Sequence, residues 1–420
     1  MKRLAMQIGA AVLSSARQGY FFRRQLQEFR SLYEGDLLSF DKWRQGRLEK
    51  IELLAEKAAY YNGAEFQSVR RVDKSAVRSE PELFRVKKGF WPSVVRTQTS
   101  GTTGVGLTLY ADQAAIATQA ASWWLFRSFF GVEPGDRGMV VGGRRIPRGS
   151  GCVGDWIFLP GLNQVYVSSF NMSADAIDEY LVAMERYGVR WIHGYPSALL
   201  VIADHILQNK VRLNFDLRLV STGSETISVA GREALKAAFQ CEVSEFYGQV
   251  ENVCAMWRCP RGTLHDLGVI GDLVLDQRED NESFEIVGTG YWNSVMPLLG
   301  YRTGDLLTQR VEYCGCGFPY PLGLEIEGRV DDYILTSKGA KVGRLARIFT
   351  HVQGCGEAQL VQTGVKNFVL KLGRGGVVDE SEFRRDLESM LAEEVEFAVV
   401  HQDQFVRTKG GKVKSVVREI

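Results

Sequence analysis

Thr97-Gln98-Thr99-Ser100-Gly101-Thr102-Thr103-Gly104 is the stretch from which this chain is best read. Glycine lets a backbone approach an anion closely with its N–H groups turned inward, and serine and threonine hydroxyls add neutral donors. The composition therefore suits a loop that wraps a polyphosphate. Ordinary polar turns between strands and helices use the same residues, so composition alone leaves both readings open. The stretch lacks the Gly-Lys-Ser/Thr ending of a P-loop, which excludes that class of nucleotide site.

Around it lie 420 residues, 45% hydrophobic and 24% charged, enough for two or three domains and a large core. The 51 lysines and arginines are balanced by 50 aspartates and glutamates, so no global field draws nucleic acid or an acidic membrane. A small-molecule substrate is the default. Seven cysteines, four of them in two short clusters, read as reduced thiols and metal ligands instead of a disulfide framework, which favours a cytoplasmic protein. The N-terminus pulls the other way: Lys2-Arg3, the run Leu4 to Leu13 and small Ser14-Ser15-Ala16 imitate a signal peptide. Gln7 and Gly9 interrupt that run, and Arg17 with Tyr20-Phe21-Phe22-Arg23-Arg24 continues as a basic aromatic helix. Cleavage, contact with a membrane surface, and a docked or loose helix stay open, but no stretch of about 20 apolar residues is present to span a bilayer.

Leu48, Ile51, Ala55 and Ala58 predict an amphipathic helix over residues 44–62, stopped by Asn62-Gly63. From 107 to about 250, strand-like runs (Met139-Val140-Val141, Val189 to Ile192, Leu217 to Val220) alternate with helical periods such as Ile177, Leu181 and Met184. That alternation predicts an α/β domain with a largely parallel sheet, whose ligand crevice lies beyond the carboxyl ends of its strands. Three clusters fall there: His193 to Ser197, Ser221 to Glu225, and Tyr247-Gly248-Gln249-Val250-Glu251. Read plainly, His193 is a histidine packed at a strand end and Glu225 a helix-leading carboxylate. Cys259 precedes His265 by six positions, and Cys314-Gly315-Cys316 begins 49 positions after it. Such pairs either bind Zn²⁺ tetrahedrally or are buried thiols. The last 90 residues carry their own α+β pattern, with helices expected around Leu345 to Val352 and Phe383 to Leu391, and end in the basic run Arg407 to Lys414.

Thr99 to Gly104, Tyr247 to Glu251 and Tyr301-Arg302-Thr303-Gly304-Asp305-Leu306, in that order, resemble the motifs of the adenylate-forming superfamily of acyl-CoA ligases, adenylation domains and luciferases. The resemblance runs from about Thr97 to Lys412, roughly three quarters of the chain. Within it the chain looks most like phenylacetate-coenzyme A ligases and the capsular polysaccharide biosynthesis proteins similar to them. The resemblance implies a large N-terminal α/β domain over 1–330 and a small mobile C-terminal α+β lid over 331–420, hinged at Asp331. It implies ATP-dependent formation of an acyl-adenylate from a small carboxylic acid, then transfer to coenzyme A or, alternatively, to an amine or protein thiol. Ser100, Gly101, Thr102, Thr103 and Gly104 would hold phosphates, with Thr102, Glu251 and Lys412 catalytic. Gly223, Ser224 and Glu225 would line the adenine, on which Tyr247 would stack beside Gly248. Glu251 would hold Mg²⁺, Asp305 the ribose hydroxyls, Arg329 ribose or phosphate, and His193 and Tyr195 the acyl group. Cys259, His265, Cys314 and Cys316 would bind a structural zinc, with Cys254 as a spare. Val250 replaces the family's usual threonine, and Gly106-Leu107 replaces a common Pro-Lys, so a catalytically degenerate nucleotide-binding protein is the alternative of another class. A homodimer is left open.

Overall fold

Helices at Lys2–Gln18, Tyr20–Glu34 and Leu37–Ala55 open the chain. The computed structural model describes residues 2–63, 70–86, 94–98, 107–147, 149, 151–278, 283–329, 333–337, 339, 341–342, 345–354, 357–402, 404–407 and 413–420. The third helix starts where the Asp36 carboxylate accepts the Ser39 N–H at 2.9 Å, satisfying an orphan donor of the first turn. It therefore begins before the expected residue 44 and ends at Ala55, and a 3₁₀ turn at Ala59–Asn62 takes up the rest of the expected span. The N–H groups of Lys57 and Ala58 bond the carbonyls three residues back, at 3.1 and 2.8 Å, which tightens the chain out of the α-helix. No helix among the described residues is long and apolar enough to cross a membrane.

The chain divides into two compact units, one of Met1–Gln7, Gly135–Ser244 and Ile326–Ile420, the other of Ile8–Pro134 and Glu245–Glu325. In the second unit Val95–Gln98 (β1) and Thr108–Ala111 (β2) pair antiparallel. Residues 99–106, which carry the phosphate-loop motif, lie between them and outside the described residues.

The first unit holds the expected parallel sheet: Gly138–Gly142 (β3), Trp156–Leu159 (β4), Gln164–Ser168 (β5), Trp191–Gly194 (β6) and Leu219–Thr222 (β7). β5, β3, β6 and β7 run parallel in that order, and β4 pairs antiparallel on the outer side of β5. Met139, Val141, Val165, Val167 and Ile192 are at most 1% exposed and pack with helix residues such as Ile177, Leu199 and Leu235. The C-terminal stretch has a separate core of Leu360, Phe368, Leu370, Phe383, Leu387 and Val395. Four strands there lie in the order Glu396–His401, Asn367–Leu372, Ala358–Gln362, Val416–Arg418. The helix Glu380–Leu391 forms as expected, capped by Asp379, whereas Leu345–His351 is a 3₁₀ helix that passes directly into the strand residues Val352–Gln353.

The second unit carries an antiparallel sheet built from the end of Glu242–Gly248 (β8) with Ala255–Arg258 (β9), Leu264–Asp266 (β10), Gly271–Gln277 (β11), Ser283–Gly290 (β12), Tyr301–Arg310 (β13) and Pro321–Arg329 (β14). Aromatic side chains fill its core: Trp257 lies 4.7 Å from Phe129 and 4.6 Å from Phe318, centroid to centroid, and Phe29 lies 5.9 Å from Trp292. Arg47 lies over the Trp292 ring at 3.5 Å.

Candidate active site

In the second unit, β13 does not run straight past β12. Arg302 pairs with Val287 and Leu306 with Glu285, so Thr303, Gly304 and Asp305 oppose Ile286 alone. Such a bulge re-aims side chains, and Gly304 at φ +74° supplies the left-handed turn it needs. The Thr303 hydroxyl donates to the Ile286 carbonyl at 2.8 Å and accepts the Asp305 N–H at 3.1 Å, which fixes the kink. Asp305, 9% exposed, then accepts the Tyr247 hydroxyl through Oδ2 at 2.7 Å. Burial pushes the Tyr247 phenol well above its usual range, and the Asp305 carboxylate pushes the same way, so Tyr247 remains a donor.

Glu251 sits in the turn from β8 to β9, 8% exposed. Its Oε1 accepts the Tyr301 hydroxyl at 2.8 Å and lies 3.6 Å from the Lys74 Nζ. Lys74 is brought there because Val72 adds itself beside β13: its N–H donates to Gly300 and its carbonyl accepts from Arg302, both at 2.9 Å. Beneath the turn lies a floor of glycines. A Cβ on Gly271 would stand 1.8 Å from the Val253 oxygen, one on Gly288 2.8 Å from Val253 Cγ2, and one on Gly290 2.8 Å from the Asn252 oxygen. Val250 is 50% exposed, and Gln249 Nε2 donates to Cys254 Sγ at 3.0 Å.

Cys254 is thus held apart from the other thiols, and the four predicted metal ligands meet without it. The ligand atoms of Cys259, His265, Cys314 and Cys316 lie within 4.8 Å of one another. Cys259 and His265 flank the β9–β10 turn, which closes through the Cys259 N–H to the Thr263 carbonyl at 2.9 Å. Cys314 and Cys316 lie in the turn between β13 and β14. Cys259 and Cys314 sulfurs are 3.7 Å apart, and Cys316 Sγ is 3.3 Å from His265 Nε2. Two thiolates on one tetrahedral zinc stand about 3.8 Å apart, so the donor set fits that ion. His265 Nδ1 donates to the Pro319 carbonyl at 2.7 Å, an outer contact that orients Nε2 toward the sulfurs.

In the first unit, Tyr166, Val140, His193 and Ser221 stand in register across β5, β3, β6 and β7. Parallel strands in register present such residues on one face. Their alternating neighbours are buried, yet Tyr166, Val140 and His193 are only half-buried. Parallel sheets are usually covered on both faces, so half-burial along this row shows that the face is left partly open here. The Ser221 hydroxyl gives its proton to the Ile192 carbonyl at 3.0 Å, so at the 3.1 Å contact it accepts from His193 Nδ1. Tyr195, two residues on, has its hydroxyl pushed above its ordinary range by burial. Glu225 Oε2 accepts the Ser197 N–H at 3.1 Å, so the carboxylate caps the helix Pro196–Gln208. Ser224 beside it adopts φ +71°.

Gly223 follows β7 directly, and Gly248 is the last residue of β8. Ser100, Gly101, Thr102, Thr103, Gly104, Asp331 and Lys412 lie outside the described residues, and Arg329 closes β14. Sequence reasoning missed Lys74 and gave Tyr301 no role of its own; the Tyr301-to-Asp305 motif itself was the signal that could have drawn attention to them.

Residues 94–311, just over half of the chain, match the AMP-binding enzyme family. A similar protein is Protein CapK of Staphylococcus aureus, 22% identical over 366 residues, covering 85% of this chain and 81% of CapK. Among solved structures, 2-hydroxyisobutyryl-CoA ligase in the postadenylation state with R3-HIB-AMP shares the fold at a TM-score of 0.66, with 16% identity over 91% of this chain and 90% of that one. Anthranilate CoA ligase AuaEII in complex with anthranoyl-AMP shares it at 0.50, with 15% identity over 78% and 66%.

Proposed function

The chain belongs to the AMP-binding enzyme family, and from that premise we propose that it activates a carboxylic acid with ATP as an acyl-adenylate and passes the acyl group to coenzyme A. The observation that carries this reading is the bulge at Thr303 to Asp305, which aims a buried carboxylate at the Tyr247 hydroxyl. A carboxylate with two oxygens can accept both hydroxyls of a ribose, and an aromatic ring beside it offers a purine an apolar face. The solved neighbours with acyl-AMP in their names support the same assignment of chemistry.

In this reading the acid's oxygen attacks the α-phosphorus, the bond to pyrophosphate breaks, and pyrophosphate leaves. The chain contributes positioning and charge neutralisation. Phosphate contacts fall to Ser100, Gly101, Thr102, Thr103 and Gly104, adenine contacts to Gly223, Ser224, Gly248 and the Tyr247 ring, and ribose or phosphate to Arg329. Glu251, held by Tyr301, is the residue that would ligate Mg²⁺; when bound, that ion neutralises phosphate charge. His193 and Tyr195 face the acyl group. Residues 331–420 act as a lid that turns at Asp331 and delivers Lys412 for the first half-reaction.

ATP–pyrophosphate exchange over a panel of carboxylic acids tests the proposal, and a second assay follows thioester formation from coenzyme A. Acid-dependent exchange without any thioester would move the acceptor to an amine or a protein thiol. ATP binding with no exchange for any acid would favour a nucleotide-binding protein without catalysis, the reading that Val250 and Gly106-Leu107 suggest.

For the cysteine cluster we infer a structural zinc, whose thiolate and imidazole bonds would cross-link two distant turns. The purified protein is expected to hold about one zinc per chain by elemental analysis. Cys314→Ser should lower the melting temperature and the zinc content together, because metal binding and folding of the two turns are coupled. Metal-free protein of undiminished melting temperature would overturn this assignment.

A further inference from the structure

The partly open face along Tyr166, Val140 and His193 is unusually polar for the middle of a parallel sheet, and its chemistry narrows the acid it can take. β3 ends at Gly142, where an added Cβ would stand 2.5 Å from the Tyr166 hydroxyl. A side chain at this position would push that phenol aside. The backbone beyond lies beside both phenols, Arg144 next to Tyr166 and Gly143 next to Tyr195. The Arg144 guanidinium lies 5.8 Å from the Tyr166 ring centroid and is close enough to both phenols to act on them electrostatically. Among the described residues no carboxylate lies within salt-bridge distance of it. The neighbouring Arg145 is used differently, over the Phe170 ring at 4.6 Å.

A guanidinium without a carboxylate partner is fixed as a cation and offers donors in a planar fork that matches a carboxylate. Glu225 acts on Tyr195 as well, so this face carries both signs of charge, and a plain fatty or aryl acid would set the Arg144 guanidinium against an apolar chain. Sites built with polar groups reject ligands that leave those groups without partners.

We propose that this face selects a carboxylic acid bearing a second carboxylate, which pairs with the Arg144 guanidinium beside the Tyr166 and Tyr195 hydroxyls. The inference rests on the adenylation reading above and names its substrate class: one carboxylate reacts, and the other is the handle.

Non-hydrolysable acyl-sulfamate adenosines test it in matched pairs of equal chain length, butyryl against succinyl and valeryl against glutaryl, by titration calorimetry on the full chain. In at least one pair the member with the extra carboxylate is expected to bind about 2- to 5-fold more tightly, the gain from one exposed ion pair. Arg144→Met should abolish that preference, Arg144→Lys should keep part of it, and Arg145→Met should keep all of it. Arg144 is exposed, at a loop past the strand end, so its replacement spares the core. Equal or tighter binding of the uncharged members, or an Arg144→Met variant that retains the preference, overturns the substrate class while leaving adenylation standing. If no member of either pair binds, the adenylate reading itself falls, and the inference with it.

Discussion

Replacing Lys412 with alanine is expected to slow adenylate formation by roughly 10²-fold or more, the loss typical of removing one preorganised charge-stabilising donor. Conversion of a supplied acyl-adenylate to product should largely survive. The described residues on either side of 408–412 are braced. Arg407 pairs with Val413, the Lys414 N–H donates to the Val406 carbonyl at 3.0 Å, and Gln359 Nε2 donates to the Lys414 carbonyl at 2.7 Å. The residues flanking 408–412 are thereby held side by side, and Gly410-Gly411 stand immediately before Lys412. An ammonium on a long stem is a compact charge suited to a developing phosphoryl oxyanion. A diffuse basic patch is the rival account, and Lys409 and Lys414 decide between the two. Their alanine variants should change the exchange rate little. Equal losses in all three variants, or retention of exchange by Lys412→Ala, would reduce the tail to a basic surface.

Glu251→Gln should cost adenylation about 10²- to 10³-fold and should shift the Mg²⁺ dependence of exchange to much higher concentration. The substitution keeps the shape and an oxygen that can still accept from the Tyr301 hydroxyl, but removes the charge a hard cation needs. It also leaves Lys74 without its anionic partner. Tyr301→Phe is the companion variant: it preserves the carboxylate and removes the donor that orients it, and about a tenfold loss is expected, without the same shift in metal requirement. Melting curves run beside the exchange assay separate these effects from unfolding, because Tyr301 is fully buried and its hydroxyl loss could loosen the turn. A Glu251→Gln enzyme with wild-type rate and wild-type Mg²⁺ dependence would remove Glu251 from the chemistry.

Local features of this chain were legible in the sequence wherever one segment carried them entire. The Tyr247-to-Glu251 and Tyr301-to-Asp305 motifs, the strand runs at 139–141 and 217–220, and the two cysteine clusters each announce themselves within a few residues. What joins them was not legible, because it depends on register between segments far apart. Tyr301 reaches Glu251 across fifty positions, and the row Tyr166, Val140, His193, Ser221 exists only once four strands are aligned. Arg144 drew no reading from the sequence for the same reason. Nor could spacing alone separate Cys254 from the cluster, since only the Gln249 contact shows where its sulfur is engaged. The early start of the third helix was hidden differently: apolar periodicity pointed to Leu48 onward, whereas the real boundary is the Asp36 cap, a hydrogen bond that periodicity does not register.

The glycine floor under the Glu251 turn bears on how this sequence can drift. Gly271, Gly288 and Gly290 have no assigned contact with nucleotide, acid or metal, yet each stands where even a methyl group would press on Asn252 or Val253. With 1.8 Å between a Gly271 Cβ and the Val253 oxygen, the strand or the turn must give way, and neither partner is a flexible side-chain tip. The change would reach the carboxylate two residues upstream. Substitution at these sites is therefore a route to inactivity without any loss of a ligand contact, and a screen that scores variants by distance from the nucleotide would pass them as harmless. Lineages that keep the chemistry should keep all three glycines; lineages that have abandoned it are free to fill them.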